Sequence, residues 1–214
     1  MDVADRIEIR TKLLGALRGL GNHSGDNDLI DSLGKVISLF ARIAERAERS
    51  DWIKETYKIL TAPDSTSQTV TVALKILENF VDSLSNETVN LMDIIQTCFG
   101  KAVQLEADRH ELYNAVLIFT TRFIQCHAVS ISVAKDLLSS IASQSVVFVS
   151  NVRVNCFIFL EKLIENFKNH VNDILKLLEA NGFLAHLNAI AQEKTLSDVD
   201  SHAINNFLQK VNQI

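Results

Sequence analysis

The segment LLEANGFLAHLNAIAQ, Leu177–Gln192, contains one break in an otherwise apolar helical pattern. Apolar residues recur every three or four positions on both sides of Asn181-Gly182, which is the period of an amphipathic helix. Glycine readily adopts the positive φ that often follows a helix end. We therefore expect one helix to end at Ala180, a second to begin at Phe183, and Gly182 to form a sharp corner with positive φ.

The same helical period continues along almost the whole chain and predicts an all-α protein. The chain has one proline and seven glycines, too few for many strand-to-strand turns. The β-branched segment 146–149 (VVFV) has no partner strand, so we assign it to a loop or a helix start. The predicted helices are Asp2–Leu20, Leu29–Arg49, Trp52–Thr61, Ser67–Leu84, Glu87–Leu105, Asp108–Cys126, Ser130–Ala142, Asn151–Lys168, Val171–Ala180, Phe183–Gln192 and Ser197–Gln213.

Composition limits the classes of function. Apolar residues make up 47% and charged residues 22% of the 214 residues, as in ordinary soluble domains. The net charge of −5 argues against a general nucleic-acid binder, because neutralising phosphates requires clustered Lys and Arg. The charged start MDVADRIEIRTK lacks the apolar core of a signal peptide, and no run reaches the roughly 20 apolar residues of a membrane span. We expect a cytoplasmic protein that does not enter membranes, with nuclear and centrosomal locations left open.

A weak internal repeat runs through the chain. Five segments share two adjacent apolar residues at their fifth and sixth places and a polar residue at the seventh. They begin at residues 39, 76, 119, 159 and 203, so the spacings are 37, 43, 40 and 44 residues. Armadillo and HEAT repeats have periods of about 40–47 residues. The segments are LFARIAER, ILENFVDS, FTTRFIQC, FLEKLIEN and AINNFLQK.

The opening segment, followed by LSDVDSHAINNFLQKVNQ (196–213), resembles an armadillo repeat, in which a glycine corner joins two helices and a long third helix follows. The resemblance is clearest over residues 170–213, and the earlier segments look more like two-helix HEAT units. It implies a right-handed superhelical stack of about five helical units in a single domain, 1–214. The units would end near residues 49, 84, 127, 168 and 213.

The fourth place of the aligned segments forms a column of polar residues. Armadillo proteins that bind extended peptides carry asparagines on the third helix, and Asn79 and Asn206 match that residue type. The three basic members depart from it and suggest an acidic or phosphorylated ligand. A solvated helix face is also polar at such places, so chance remains an alternative. The column consists of Arg42, Asn79, Arg122, Lys162 and Asn206.

The remaining residue patterns indicate no catalytic, metal or cofactor site. Cys98, Cys126 and Cys156 lie in apolar runs and are expected to be buried thiols in a reducing compartment. The six histidines lack the three- or four-residue spacing of helical metal ligands, so we expect no metal and no cofactor. The first amphipathic helix, together with Trp52 and Tyr57, is a second candidate surface, although a single Trp near a helix start more often packs in the core.

The sequence therefore favours a non-enzymatic scaffold that binds a protein partner through an extended or helical segment, with a cytoskeletal or centrosomal assembly as one setting. Self-association is left open. The alternative is a nucleic-acid-binding helical repeat, which reads bases from a basic wall lined with aromatic residues. The column has the basic residues of such a wall but not the aromatic ones. No feature of the sequence favours an enzyme.

Overall fold

The structure is a computed structural model that describes residues 2–21, 27–84, 91–104, 109–142, 150–191 and 196–212. Regular structure in these ranges is helical, without a strand, so the all-α prediction is confirmed. The segment 146–149 lies outside the described residues. The α-helices are α1 (Val3–Gly21), α2 (Asn27–Ile43), α3 (Arg46–Thr61), α4 (Ser67–Glu78), α5 (Leu91–Gln104), α6 (Arg109–Cys126), α7 (Ile131–Ala142), α8 (Ser150–Asn166), α9 (Val171–Ala180), α10 (Phe183–Ala191) and α11 (Asp198–Asn212).

Contacts divide the chain into two compact halves, Met1–Phe119 and Thr120–Ile214, with the division inside α6. In the N-terminal half, α1 packs on α2, α3 and α4, while α4 also contacts α2, α3 and α5. In the C-terminal half, α7 packs on α9, α8 on α11, and α10 on both α9 and α11.

Helix α4 is the centre of the N-terminal half. From Ser67 to Leu77 all its residues are buried except Lys75, as expected of a helix that is covered on every side. The preceding Ala62 has the extended backbone (ψ 133°) that the following Pro63 favours, so α3 ends at Thr61, the predicted helix end. Thr66 then caps α4 by accepting a hydrogen bond from the backbone amide of Thr69 at 3.2 Å.

The predicted helix Leu29–Arg49 is wrong at its end, because α2 stops at Ile43 and α3 starts at Arg46. Glu45 between them is extended, with φ −65° and ψ 153°. This turn redirects the chain so that Trp52 reaches the core, where it is 4% exposed and its ring lies 6.4 Å from that of Phe80. The helix predicted over Trp52–Thr61 therefore begins six residues earlier, at Arg46.

Gly182 has a φ of +70°, which confirms the predicted corner between α9 and α10. Its amide donates to the Glu179 carbonyl at 2.9 Å, and the Asn181 amide donates to the Leu177 carbonyl at 3.1 Å. These bonds satisfy carbonyls at the end of α9 that would otherwise lack partners. The corner turns Phe183 into the core, where its ring meets Phe157 edge-on at 6.4 Å.

Polar contacts between helices join residues about one repeat apart. In the N-terminal half, Gln68 Nε2 donates to Asp31 Oδ1 at 2.8 Å across a separation of 37 residues. In the C-terminal half, Lys135 Nζ donates to Asp173 Oδ2 at 3.0 Å across 38 residues. The first separation equals the 37-residue spacing between the aligned segments that begin at residues 39 and 76, and α2 and α4 carry those two segments. The second contact joins α7 and α9, which lie outside the aligned segments.

Candidate interaction surface

Of the five column residues, Arg42, Arg122 and Lys162 lie in the C-terminal parts of α2, α6 and α8. Asn79 follows α4 as its C-cap, and Asn206 lies in the middle of α11. Each is exposed or half-buried, and none is in the core. The prediction that they share one groove remains a prediction, because its members are divided between the two halves of the chain. Within each half, the contacts of the side chains can be compared directly.

In the N-terminal half the two column members touch. Arg42 Nε donates to Asn79 Oδ1 at 2.9 Å, across a separation of 37 residues. Asn79 also donates from Nδ2 to the carbonyls of Lys75 and Ile76, at 2.9 and 3.2 Å, at the C-terminal end of α4. The amide of Asn79 therefore caps a helix and orients the Arg42 guanidinium, whereas a peptide-binding asparagine would keep its amide for the ligand.

In the C-terminal half Lys162 lies within an ionic cluster. Its Nζ is 2.6 Å from Glu165 Oε2. Lys210 on α11 reaches back to α8, with Nζ 2.7 Å from Glu165 Oε1 and 2.9 Å from Glu161 Oε2. The hydrogen bond from Lys162, and then that from Lys210, lowers the pKa of Glu165 to about 2. Two lysines thus face two glutamates, and the cluster is neutral at pH 7.

The two remaining column residues are at the surface of the C-terminal half. Arg122 is exposed on α6. Asn206 Nδ2 lies 3.1 Å from His202 Nε2, one turn earlier on α11. Asn166 Nδ2 donates to the Ile124 carbonyl at 3.0 Å and so joins the end of α8 to the end of α6. The column residues of this half therefore lie on helices that are joined by the Asn166–Ile124 hydrogen bond and by the neutral cluster around Glu165.

A groove between α1 and α3 was missed by the sequence analysis. The two helices run in the same direction, since Arg6 binds Glu48 at 2.8 Å and Arg10 binds Asp51 at 3.3 Å, one turn further along both. From the Arg10–Asp51 pair towards the C-terminal ends of both helices, α1 and α3 border a groove of about 530 Å³. The recurrence of arginines on one face of α1 could have indicated this surface. Their acidic partners lie about 40 residues further along the chain, so a local pattern does not show the pairing. The charged residues lining the groove are Arg10, Arg18, Asp51, Lys54, Glu55 and Lys58.

The second candidate surface does not form as such, because Trp52 is buried and Tyr57 is half-buried. Burial, then the nearby charge of Asp93, raises the pKa of Tyr57. Of the cysteines, Cys98 and Cys156 are buried as predicted, whereas Cys126 is exposed at the last turn of α6. Burial raises the pKa of Cys156 to about 12, so its thiol stays protonated at neutral pH.

Two further findings concern the described part of the chain. No three His, Cys, Asp or Glu side chains there are grouped so that they could hold a metal ion. None of the helices described is both long and apolar enough to cross a membrane.

Comparison of the chain with family models, with curated proteins and with solved structures finds no match in any of the three. The armadillo/HEAT resemblance therefore rests on the repeat and the corner alone.

Proposed function

We propose that the chain is a non-enzymatic protein–protein interaction scaffold, folded as a single domain (1–214) that is a right-handed armadillo/HEAT-like stack of about five helical units. It binds an extended, acidic partner segment along a wall made by the last helix of each unit. The wall carries Arg42, Asn79, Arg122, Lys162 and Asn206. We place it in the cytoplasm, with a cytoskeletal or centrosomal assembly as the setting to test first.

The observation that carries this proposal is the bond between Arg42 and Asn79. Two residues aligned only by the repeat, 37 positions apart, are neighbours on the surface of the N-terminal half. In the C-terminal half the Glu165–Lys210 contact spans 45 residues and likewise joins successive segments of the alignment. Stacked repeats bring equivalent positions together in this way and create a lengthwise surface for an extended ligand.

A peptide-binding experiment tests the proposal on the full chain. The probe is a fluorescent Glu-rich peptide interrupted by prolines, which keep it extended. We expect the double variant R122E/K162E to bind it at least about tenfold more weakly, because both cations that would meet the acids are reversed. The matched control K168E/K176E changes the net charge equally, at exposed lysines outside the column.

Equal losses in both double variants would show non-specific attraction and contradict a column site. Circular dichroism should show the same helix content for the two variants. Salt-dependent binding of single-stranded RNA that the column variant abolishes would favour the nucleic-acid alternative.

A further inference from the structure

Helix α2 has more apolar surface than the fold uses. The buried face consists of Ile30, Gly34, Ile37 and Ala41, which follow the helical period and lie against the core. A surface helix of a globular protein normally confines its large apolar residues to the core face. On α2 a second apolar face adjoins the buried one, joined to it by half-buried Leu33 and Phe40, and the charged residues lie on the remaining side.

The second face is a regular series of large apolar residues in solvent. Leu29, Val36, Leu39 and Ile43 are between 42% and 70% exposed. Together with Ser32 they occupy positions 29, 32, 36, 39 and 43, with alternating steps of three and four residues. This is the a/d spacing of a coiled coil, in which the side chains of one helix fit between those of another. We call these five residues the α2 seam.

Cations border the seam. Lys35 and Arg42 are exposed and seven residues apart, at the positions that flank an a/d face. The bond to Asn79 fixes the Arg42 guanidinium at this edge. A partner helix with glutamates at its own flanking positions would pair with both, as oppositely charged flanks select partners in coiled coils.

A second copy of this chain matches these charges less well than an acidic helix does. Asp28 is exposed at the same flanking position, seven residues before Lys35. If two α2 seams packed antiparallel, Lys35 would face Lys35 or Arg42 of the other copy, depending on the register, and only Arg42 could pair with Asp28. We propose that the α2 seam is the docking site for one amphipathic helix of a partner protein, with an apolar a/d face and acidic flanks. This site goes beyond the proposed wall for an extended segment, because it needs only α2.

The test uses the full chain and a fluorescent peptide of about three heptads, with Leu at a and d and Glu at e and g. A second peptide carries Lys in place of Glu. We expect the Glu peptide to bind and the Lys peptide not to bind. The variant L39S/I43S should weaken binding of the Glu peptide at least about tenfold, since two apolar contacts are lost, and K35E should weaken it in a salt-dependent way.

Matched controls separate this site from folding and from the column. Val199 on α11 is 62% exposed, as is Leu39, so V199S removes an equivalent apolar side chain elsewhere and should leave binding unchanged. R122E/K162E should also leave it unchanged, so the two proposals can fail separately. Circular dichroism should be the same for all variants, because the substituted side chains are at the surface.

Two results would overturn the inference. One is a Glu peptide that does not bind, or that binds L39S/I43S as well as the unmodified chain. The other is a dimer in analytical ultracentrifugation that L39S/I43S dissociates, which would make a second copy the occupant of the seam.

Discussion

The fourth place of the repeat carries a cation in both halves of the chain, but its surroundings differ. Arg42 in the N-terminal half is held by the neutral amide of Asn79 and keeps its full charge at the surface. Lys162 in the C-terminal half is matched by Glu165, which also binds Lys210. An aligned basic residue therefore does not by itself create a positive surface, because neighbours on its own helix and on adjacent helices decide the local potential.

Other contacts made by the helices that carry these two cations also differ. Between α8 and α11 there is an ion pair of Arg153 and Asp200, 3.5 Å apart, with side chains only 9% and 4% exposed. Between α2 and α4 the helices meet at a glycine, Gly34. One contact depends on buried charge and the other on close approach of two helices, so single substitutions can disrupt each half separately.

The largest effect should come from Asp200→Ala in the C-terminal half. Removing one partner of a buried ion pair takes the carboxylate away from the buried Arg153 guanidinium and costs about 3–5 kcal/mol. The change also removes the acceptor of the Ser197 hydroxyl hydrogen bond at the start of α11. Urea unfolding should show the loss, and the double variant R153M/D200L should recover much of it. A free energy of unfolding within about 1 kcal/mol of the unmodified chain would contradict this role.

Gly34→Ala should destabilise the N-terminal half by a smaller amount. A Cβ at Gly34 would lie 2.6 Å from Val72 Cγ1, and valine in a helix has little freedom to rotate away. Overpacking costs about 1–3 kcal/mol, partly offset by about 1 kcal/mol from replacing a helical glycine. In a double-mutant cycle, G34A/V72A should be more stable than the sum of the single changes. Strict additivity would show that α2 and α4 do not meet closely there.

The period of the apolar residues is sufficient to predict that the chain is helical, but it does not predict every helix end or the contacts between helices. The all-α fold, the break at Pro63 and the Gly182 corner depend on nearby residues, and their local signals were strong. The end of α2 was predicted wrongly because the turn at Glu45 is fixed by the burial of Trp52 and by the Arg6–Glu45 ion pair, 3.0 Å long. Likewise, the Lys162–Glu165 pair follows a local spacing of three residues, but no local pattern shows that Glu165 also binds Lys210, 45 residues away.

Gly182→Ala tests the corner that leads to α10 and α11. The added Cβ would lie 3.8 Å from the His186 ring, an ordinary contact, so only the backbone conformation is unfavourable. An L-residue in the left-handed region costs about 1–2 kcal/mol. The melting temperature should fall for Gly182→Ala and fall less for Gly182→Asn, since asparagine tolerates this conformation better. An unchanged melting temperature for the alanine variant would count against an armadillo corner at this position.

The smallest effect on stability, and the sharpest test of the comparison, is expected from Glu165→Gln. The pKa of Glu165 is lowered from 4.5 to about 2, first by the hydrogen bond from Lys162 and then by that from Lys210. A carboxyl group with a lowered pKa in the folded state stabilises the protein above its unfolded pKa. This contribution is lost as the pH falls from about 4.5 towards about 2.

The Glu165 side chain is 40% exposed, so solvent screening keeps the contribution below about 1 kcal/mol. Urea unfolding at pH 7 and at pH 3 should therefore show a slightly smaller acid destabilisation for Glu165→Gln than for the unmodified chain. The variant also leaves the charges of Lys162 and Lys210 less compensated, so the proline-interrupted acidic peptide should bind it more tightly. Glu179→Gln, at an exposed position on α9, is the matched control for the change in net charge. If both variants bind the peptide equally, Glu165 does not limit the positive potential around Lys162, and the two halves of the column differ less than their contacts suggest.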